Sequence, residues 1–499
     1  MSQLLIGWGR REISTSDPVS IPGQHYIRVS EGIHDPLYAT ALCLDGGEGQ
    51  DAVIFCSLDM TSPRTIWELI IERVAQKYPD VPTDIITINV THTHTSAAPF
   101  HQPETSQDGK TIYPAEQWAD FAAGQAADAI HEAWTGRKEG GVAYGYGYAV
   151  VAHSRRTVYS VDQSLGAEPG MNSDGFAVMY GKTNKPDFAG YEAGADHFVN
   201  LLYTFDTQNK LTGMVVNVPG PSQTAEHWRM LSADYWNEVR EGVAAEYGPD
   251  VYVLPQCAAA GDLSPRILHY LPAQQRRMKL KYGLDYDSSR VSRHEEDFYK
   301  KSMAERRDIA ERILAAVREV YAWASKEIYS DVPVVHRAEV IRLPYRRITD
   351  EEKAECERNI ASAKLVIPEG ATPQEAAKLT DLYNTRLARN RRVIERWKNF
   401  NPDDRFPMLS HIVRVGDVAF ASNGFEYYMD YMHRIQARSP FVQTFIIQLS
   451  SGSGYGGYLP TARAAANRGY GSSMYENTIG PEGGQVIVEE TLRVLNEIR

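Results

Sequence analysis

Three features of the sequence predict an α/β fold in which a layered, mixed β-sheet is flanked by helices. Short apolar runs alternate with an amphipathic helical pattern in the first third of the chain. Two long, charged and Ala-rich segments follow, and their polarity suits a peripheral helical insertion. Beyond Pro407 the short apolar runs return. A succession of this kind is typical of a sheet covered by helices.

The first third of the chain contains a strand–helix–strand succession. Ala39–Leu44 and Ala52–Leu58 are short apolar runs, which predict two strands. Thr65–Lys77 has the apolar spacing of an amphipathic helix, and the β-branched run Ile85–Val90 predicts a further strand. The residues that follow Val90 therefore lie at the end of a strand, where open α/β sheets usually carry their sites.

The remaining elements are predicted by the same periodicities. Helices are expected at Gln117–Trp134 and Val486–Ile498, and strands at Gly140–Val151, Phe198–Phe205, Leu211–Val218, Val251–Leu254, Ile412–Val415, Val418–Ala421 and Thr444–Leu449. The polar segments at about 295–326 and 350–399 are the expected helical insertions. Because no internal repeat or low-complexity linker divides the chain, we expect one domain over residues 1–499.

Composition and charge restrict the partners. The chain has 499 residues and is 43% hydrophobic, which is enough for a large core. Its 52 Lys and Arg against 64 Asp and Glu give a net charge of −12 without a long block of one sign, which disfavours nucleic acids and anionic membranes. We find no run of 18 apolar residues and expect no membrane insertion. A small-molecule substrate is expected, and a homo-oligomer is left open.

The N-terminus and the cysteines predict a cytoplasmic protein. Met1–Gln3 leads directly into an apolar strand, without the charged and apolar regions of a secretory signal. The cysteines are too widely spaced for a CxxC metal pattern or a small disulfide framework, so we expect free thiols. They are Cys43, Cys56, Cys257 and Cys356.

The segment Asn89–Thr95 carries a His-x-His pair directly after a predicted strand. On an extended segment His92 and His94 point to the same side, so both imidazoles can face one cavity. Imidazole is the commonest metal ligand, and the flanking Thr and Asn side chains are candidates to fix its tautomer. Without further residues, however, a hydrogen-bonded structural pair explains the pattern better.

Three residues farther along the chain are also candidates, although each has a structural explanation as well. Ser264, in Ala258–Pro265, is a candidate nucleophile or oxyanion donor, but the absence of a Gly-x-Ser-x-Gly elbow argues against a serine triad. Glu426 follows a predicted strand, where a buried carboxylate needs a cation or a metal. Tyr458 lies in a glycine-rich loop that permits close approach of a ligand.

Seven motifs follow one another along the chain. They are GxGRxxI at Gly7–Ile13, GIHDPLYA at Gly32–Ala39, THTH at Thr91–His94, SADY at Ser232–Tyr235, AGDLSP at Ala260–Pro265, Glu426 itself, and GYGGYLPT at Gly454–Thr461. This order resembles the catalytic domain of the neutral/alkaline ceramidases over nearly the whole chain. No single motif is decisive, but their common order argues against coincidence.

The resemblance implies a zinc-dependent amide hydrolase. In that family two histidines, a glutamate and a tyrosine hold zinc, and a serine is essential to cleave the amide of an N-acyl sphingoid base. The implied positions in this chain are His92, Glu426 and Tyr458 for zinc, Ser264 for the serine, His94 at the substrate carbonyl and Arg155 near the reacting group.

The second zinc histidine of the family is missing here. Gly220 occupies its position, just before a proline, and glycine has no side chain to donate. Because a catalytic zinc normally has three protein ligands, His227, Gln223 or His94 must substitute, or the metal is weaker or absent. We expect His227 to substitute. Compared with the family, we also expect neither a signal peptide nor a C-terminal immunoglobulin-like domain.

The expected function is a cytoplasmic, zinc-dependent hydrolase that cleaves an amide bond of a small N-acyl compound. Ser264 would attack or stabilise the oxyanion, while His94 and Arg155 would handle the proton and the developing charge. Two alternatives stay open. The missing ligand and the 29 Tyr against 14 Phe allow a hydrolase of a glycoside or another polar molecule on the same fold. The other alternative is a metal-free binding protein that kept the scaffold.

Overall fold

The computed structural model describes residues 3–164, 175–287, 295–450 and 456–499. It confirms the predicted α/β fold, in which a large mixed sheet is flanked by helices. The strands are β1 Leu5–Glu12, β2 Ser20–Ile21, β3 Arg28–Val29, β4 Tyr38–Asp45, β5 Ala52–Leu58, β6 Ile86–Val90, β7 Lys138–Tyr148, β8 His153–Ser154, β9 Arg156–Tyr159, β10 Ala177–Met179, β11 Phe188–Tyr191, β12 Phe198–Asp206, β13 Leu211–Val218, β14 Tyr252–Cys257, β15 Leu263–Ser264, β16 Val334–Pro344, β17 Arg405–Val415, β18 Val418–Ser422, β19 Glu426–Tyr427, β20 Gln443–Ile447 and β21 Tyr458–Leu459. The helices are α1 Ile66–Lys77, α2 Ala115–Thr135, α3 Tyr235–Tyr247, α4 Leu271–Tyr282, α5 Glu295–Ala324, α6 Asp350–Ser362, α7 Pro373–Lys398, α8 Met429–Arg438, α9 Ala462–Asn467 and α10 Pro481–Glu497, with a short 3₁₀ helix at Thr83–Ile85.

The main sheet has eight strands, in the order β14-β13-β12-β7-β1-β4-β5-β6. Each terminal strand is parallel to its neighbour, β14 to β13 and β6 to β5. All other neighbours are antiparallel. A parallel neighbour needs a crossover connection, so β6 and β14 are each reached by one. The segments that carry His92 and Ser264 follow these two strands.

The main sheet curves until its terminal strands meet. The carbonyl oxygen of Pro255, in β14, accepts hydrogen bonds from Ser57 Oγ of β5 at 2.6 Å and from Asn89 Nδ2 of β6 at 3.2 Å. All three groups are buried. Because a buried polar group without a partner costs about 1–3 kcal/mol, these bonds fix how the two edges meet. The segments that follow β6 and β14 are thereby brought together.

Two glycines of β1 allow α2 to lie directly on the main sheet. A Cβ atom at Gly7 would lie 1.9 Å from the carbonyl oxygen of Ala133, and one at Gly9 would lie 2.1 Å from that of Ala129. Neither distance is compatible with a side chain. The Gly-x-Gly motif near the N-terminus is therefore explained by close packing against the alanine-rich face of α2.

A second sheet of four strands, in the order β16-β17-β18-β20, packs against the main sheet. Phe55 of β5 and Phe420 of β18 meet in this core, with ring centroids 4.8 Å apart. Phe420 also stacks on Phe445 of β20 at 4.4 Å. Aromatic pairs at these separations add about 0.5–1.5 kcal/mol each beyond the burial of their area. This core holds β18 in place, and the chain continues from β18 to Glu426.

The predicted helical segments in the second half of the chain are confirmed as α5, α6 and α7. Thr349 and Thr372 begin α6 and α7, each in a capping box with the glutamate three residues later. Their role as insertions in a single domain stays a prediction. The polarity of the sequence indicated only a solvated face, but α7 also contacts the loop of residues 22–27. Asp381 accepts a hydrogen bond from the Ile27 amide, and the Thr385 hydroxyl donates to the His25 carbonyl.

The predicted strands and helices agree with the structure apart from their ends and some omissions. The strand expected over Gly140–Val151 ends at Tyr148, and β14 extends to Cys257. The sequence did not indicate β16, whose exposed positions carry charged side chains and mask the strand pattern. Helices α3 and α8 were also missed.

The four cysteines are buried free thiols, as predicted. Burial raises the pKa of the thiols of Cys43, Cys56 and Cys257 to about 12. A thiol with so high a pKa stays protonated and unreactive at neutral pH. In the part of the chain that the structure describes, none of the helices combines the length and the apolar character needed to cross a membrane.

We predict that His411, in β17, makes the protein less stable in mild acid. Its Nδ1 lies 2.9 Å from Nε2 of His336, and burial, together with the charge of His336, lowers the pKa of His411 to about 3. Between about pH 6.5 and 3 only the unfolded chain binds this proton, so the free energy of unfolding falls as the pH falls, by about 2 kcal/mol from pH 7 to pH 5. In His411→Gln, the free energy of unfolding measured with denaturant should fall less between pH 7 and pH 5 than in wild type, by this amount.

The matched control for this prediction is His101→Gln, which removes a histidine whose side chain is 87% exposed. This variant should follow the wild-type pH dependence. A constant difference in stability between wild type and His411→Gln from pH 7 to pH 5 would contradict the assignment.

Candidate active site

The candidate site lies where the two terminal strands of the main sheet meet. His92 and His94 follow β6, the segment Gln223–His227 follows β13, and Ser264 follows β14. Glu426 follows β18 of the second sheet. The prediction that the His-x-His pair lies at the end of a strand is confirmed.

His92 has a left-handed backbone and precedes a turn at residues 94–95, so the predicted extended segment is wrong. Its φ of 61° is in the left-handed region, which costs a residue with a Cβ atom about 1–3 kcal/mol. The turn nevertheless brings the rings of His92 and His94 to a centroid separation of 5.0 Å. The two imidazoles therefore share one site, as expected, because of the turn and not because of strand periodicity.

The tautomer of His92 is fixed by a backbone group. Its Nδ1 lies 2.5 Å from the carbonyl oxygen of Thr61, so Nδ1 carries a hydrogen and donates it. The expectation that a flanking Thr or Asn side chain would do this is wrong, and Asn89 instead donates to Pro255. Nε2 of His92 then faces the Glu426 carboxylate at 3.4 Å.

Glu426 and Tyr458 lie opposite each other in the paired strands β19 and β21. The amide of Glu426 donates to the carbonyl of Gly457 at 3.0 Å, which holds the two strands together. Although burial opposes ionisation, His92, Arg155 and a hydrogen bond with Tyr458 lower the pKa of Glu426 to about 2. Glu426 is therefore a carboxylate at neutral pH. Gly454–Tyr455, the start of the same glycine-rich motif, lies outside the described residues.

Arg155 is the buried cation of this group. Its Nη2 lies 3.9 Å from the Glu426 carboxylate and donates to the carbonyl of Gly261 at 2.7 Å. The guanidinium also lies 5.2 Å from the ring centroid of Tyr458. Burial opposes its charge, but Tyr458, Tyr180 and Glu426 raise the pKa of Arg155, so it stays protonated. Arg155 thus lies beside Glu426 and Tyr458, and its role near the reacting group stays a prediction.

His94 belongs to a second group that the sequence did not reveal. Nε2 of His94 lies 2.9 Å from Nε2 of Gln223, which donates to it, so the hydrogen of the neutral ring is on Nδ1. Nδ1 faces the buried Glu226 carboxylate at 3.7 Å, and Glu226 forms an ion pair with the partly buried Arg266. Burial opposes ionisation of Glu226, but Arg266 and His94 hold its pKa well below the usual range.

Burial lowers the pKa of His94 to about 4, and the charge of Glu226 only partly offsets it. His94 is therefore neutral at pH 7. Glu226 had no signal of its own in the sequence, because a single glutamate beside a histidine is common and its partners lie on other segments.

The hydroxyl of Ser264 accepts two hydrogen bonds. They come from the Tyr180 hydroxyl and from the backbone amide of Arg266, each at 3.2 Å. Across the described residues, the Ser264 hydroxyl has neither a histidine nor a carboxylate as a hydrogen-bond partner. With both lone pairs occupied, the serine retains its own hydrogen for donation. Tyr180 is a further site residue that the sequence analysis missed.

The structure does not bring His227 to the other expected metal ligands. Its contacts are with Tyr26, Glu226, Arg266 and the ring of Phe298. The side chain is 39% exposed, and burial lowers the pKa of His227 to about 4. Its role as the substitute ligand stays a prediction that these contacts do not support.

Gly220 is closely packed and leaves no space for a ligand side chain. A Cβ atom there would lie 2.5 Å from Cγ1 of Val151 and 3.4 Å from Cβ of Ala152. The Gly220 carbonyl accepts a hydrogen bond from the Tyr235 hydroxyl at 2.8 Å. The missing ligand position is thus filled by valine and held by a backbone contact.

His92, Glu426 and Tyr458 provide one nitrogen and two oxygen donors. Such a set suits a catalytic zinc, which needs three protein ligands and an open position. Within residues 3–164, 175–287, 295–450 and 456–499, no three His, Cys, Asp or Glu side chains are grouped to hold a metal ion, so the phenol of Tyr458 is needed as the third donor. The donors fit because Nε2 of His92 and the ionised Glu426 face each other at 3.4 Å, a contact that is favourable around a proton or a cation.

Comparison with solved structures finds proteins of the same fold, whereas comparison with family models and curated proteins finds no match. No family model matches the chain. No curated protein matches it either. Neutral ceramidase from Pseudomonas aeruginosa superposes with a TM-score of 0.65 and 16% identity, covering 100% of this chain and 75% of that chain. A ceramidase complexed with C2 superposes with a TM-score of 0.62 and 13% identity, covering 99% and 75%. The chain has the neutral ceramidase fold, which confirms the resemblance at the level of structure.

We predict that a side chain at Gly220 destabilises the fold through Val151. Gly220→Ala should lower the free energy of unfolding by about 1–3 kcal/mol, since overpacking has that cost. In the double variant with Val151→Ala, the clash is removed and the combined loss should be smaller than the sum of the two single losses. Chemical denaturation of the four proteins measures this coupling, and strictly additive losses would contradict it.

Proposed function

We propose that the protein is a zinc-dependent hydrolase that cleaves the amide bond of a small N-acyl compound. The fold supports this proposal, since solved structures that share it include a neutral ceramidase and a ceramidase complexed with C2. The seven ordered motifs occur in a chain that has this fold, which supports the proposal further. The cytoplasmic location stays a prediction of the sequence, and a homo-oligomer stays open.

The observation that carries the proposal is the contact of 3.4 Å between Nε2 of His92 and the Glu426 carboxylate. Because Nδ1 is committed to the Thr61 carbonyl, Nε2 is the ring atom left to bind a metal or a proton. A left-handed, buried histidine is costly to maintain, and such strain concentrates at functional sites. Zinc held by His92, Glu426 and Tyr458 would supply Lewis-acid chemistry at a substrate carbonyl.

His94 is proposed to move the proton. Hydrolysis of an amide forms a bond from the water oxygen to the carbonyl carbon, breaks the C–N bond and delivers a proton to the amine nitrogen. A neutral His94 can accept the proton of the attacking water at Nε2, once the water displaces the Gln223 amide that donates to this nitrogen, and return it to the leaving nitrogen. The Glu226 carboxylate, 3.7 Å from Nδ1, stabilises the imidazolium that forms in between.

Ser264 and Arg155 are proposed to stabilise the negative charge that develops on the carbonyl oxygen. The Ser264 hydroxyl accepts hydrogen bonds from Tyr180 and Arg266, so its hydrogen is available to an oxyanion and its lone pairs are not available for attack. Arg155 is charged and buried beside Glu426. These contacts favour the oxyanion role over the nucleophilic role of Ser264.

We predict that purified protein binds about one zinc ion per chain and hydrolyses an N-acyl amine. His92→Ala should lose both properties, since it removes the only imidazole in the proposed donor set. Elemental analysis measures the metal, and release of the free amine from a panel of N-acyl amines measures the reaction. His101→Ala, at an exposed position, is the matched control and should retain both.

The remaining outcomes separate the two alternative functions. Bound zinc with cleavage of glycosides and no cleavage of amides would favour the glycoside hydrolase. Absence of zinc from wild type, with no change in stability in His92→Ala, would overturn the metal proposal and favour a binding protein.

Ser264→Ala should lower kcat about 100- to 1000-fold, as expected for loss of an oxyanion donor.

We predict that Glu226 positions His94. Glu226→Gln keeps the shape but removes the charge that stabilises the imidazolium, so kcat should fall about 10- to 100-fold with little change in KM and in zinc content. Loss of the ion pair with Arg266 should also lower stability. Glu116→Gln is the control, because it breaks a surface His–Glu contact, with His101 at 3.2 Å, and should leave kcat unchanged. An equal loss of kcat in both variants would contradict the assignment.

A further inference from the structure

Tyrosine and glycine alternate at the end of β7, over residues 144–148. A Cβ atom at Gly145 would lie 2.3 Å from Cη2 of Trp323, and one at Gly147 would lie 3.1 Å from Cβ of Ala316. The two glycines therefore allow α5 to lie directly on the strand. Because side chains alternate along a strand, this packing does not explain the tyrosines between them.

An open cavity of about 510 Å³ lies between these tyrosines and α5. On the side of β7 that faces β1, the described residues provide strand or bridge pairing only as far as Val142, so the edge beyond it is open to the cavity. Ligand pockets usually have volumes of about 300–1,000 Å³. The described residues that line this cavity are Tyr146, Tyr148, Ala315, Ala316, Glu319 and Trp323.

The three aromatic residues of this cavity are unusually exposed. The exposed fraction is 47% for Tyr146, 65% for Tyr148 and 44% for Trp323. The rings of the two tyrosines are perpendicular to each other, with an interplanar angle of 89° and centroids 5.9 Å apart. Phe198 of β12 packs against both rings, at 5.2 and 5.1 Å, and supports this corner. Exposed apolar side chains grouped in this way are typical of a binding site.

Glu319 supplies the only charge among the described residues that line the cavity. Its Oε1 accepts a hydrogen bond from Nε1 of Trp323 at 3.1 Å, which holds the carboxylate beside the indole ring. Within the described part of the chain, Glu319 forms no ion pair with a lysine or an arginine. Ala315 and Ala316, one turn earlier on α5, leave space in front of the carboxylate because their side chains end at Cβ.

We propose that this cavity binds an organic cation that carries a quaternary ammonium group, as choline does. The faces of tyrosine and tryptophan rings attract a cation, and the indole ring attracts it most strongly. Glu319 adds the opposite charge, while the methyl groups of the ligand cover the exposed ring surfaces of Tyr146 and Tyr148. None of the lining residues belongs to the candidate active site, so this ligand is independent of the proposed reaction.

The experiment compares choline with 3,3-dimethyl-1-butanol, in which an uncharged carbon atom replaces the quaternary nitrogen. Each compound is titrated with the full chain, and the methyl proton resonance of the ligand reports the dissociation constant. Choline should bind about tenfold more tightly, because the neutral compound has the same shape but gains nothing from the ring faces or from Glu319. Equal binding of the two compounds, or no binding of choline to wild type, overturns the proposal.

Two variants test the residues that recognise the charge. Glu319→Gln removes the charge but keeps an oxygen that accepts the Trp323 N–H, so it should weaken choline binding about five- to tenfold and leave dimethylbutanol binding unchanged. Tyr148→Leu removes an exposed ring, which should weaken choline binding about threefold or more. Unchanged choline binding in both variants overturns the proposal.

Matched controls separate these effects from changes in net charge or in exposed aromatic area. Glu311→Gln makes the same charge change at a glutamate of α5 whose side chain is 52% exposed. Tyr270→Leu removes a tyrosine that is 72% exposed and does not line the cavity. Both controls should bind choline as wild type does. An equal loss in Glu319→Gln and Glu311→Gln overturns the role of the cavity.

A last variant shows which site of the protein takes the ligand. Ser264→Ala changes the candidate active site and should leave the dissociation constant of choline unchanged. Loss of choline binding in Ser264→Ala, with binding retained in Glu319→Gln, would locate the ligand in the active site and overturn the proposal.

Discussion

The meeting of β6 and β14 is the constraint on which the site depends. One carbonyl oxygen, that of Pro255, accepts hydrogen bonds from Ser57 and Asn89 and thereby joins the two ends of an eight-stranded sheet. Without this closure the segments after the two terminal strands would lie at opposite edges of the sheet. With it, the segment that carries His92 and the loop that carries Ser264 lie in one region. Buried polar contacts at this position specify geometry, because apolar packing alone does not fix the angle at which two strands approach.

The site contains two groups of the same composition, each with a histidine, a glutamate and an arginine. They are His92–Glu426–Arg155 and His94–Glu226–Arg266. Each carboxylate is buried and charged, which is affordable only because a cation lies beside it. The two groups differ in how their histidine is held. The first histidine donates to a backbone carbonyl and presents Nε2 to the carboxylate, whereas the second accepts from an amide and presents Nδ1. In the proposed function, the first histidine would bind the metal and the second would carry the proton.

Much of the fold could be predicted from the sequence, because periodicity reports which face of a segment is buried. β5, β6, α1 and α7 were found in this way. β16 was not, since its exposed positions are charged and its hydrophobic positions are interrupted. The site was predictable only in part: His92, Glu426 and Tyr458 lie in motifs whose order along the chain carries information. Glu226 and Tyr180 join the candidate site through contacts between distant segments, and Thr61 contacts it through a carbonyl group that every residue has, so no local pattern identifies them.

The close approach of Gly23 to His94 has a consequence for the timing of each turnover. The exposed backbone of Gly23 rests on the imidazole face, and the same loop is tied to α7 by Asp381 and Thr385. A ligand that reaches His94 from this side must displace the loop of residues 22–27, which is hydrogen-bonded at two points to a helix of 26 residues. The rate of that displacement then limits how fast a ligand enters or leaves by this route, independently of how fast a bond is broken.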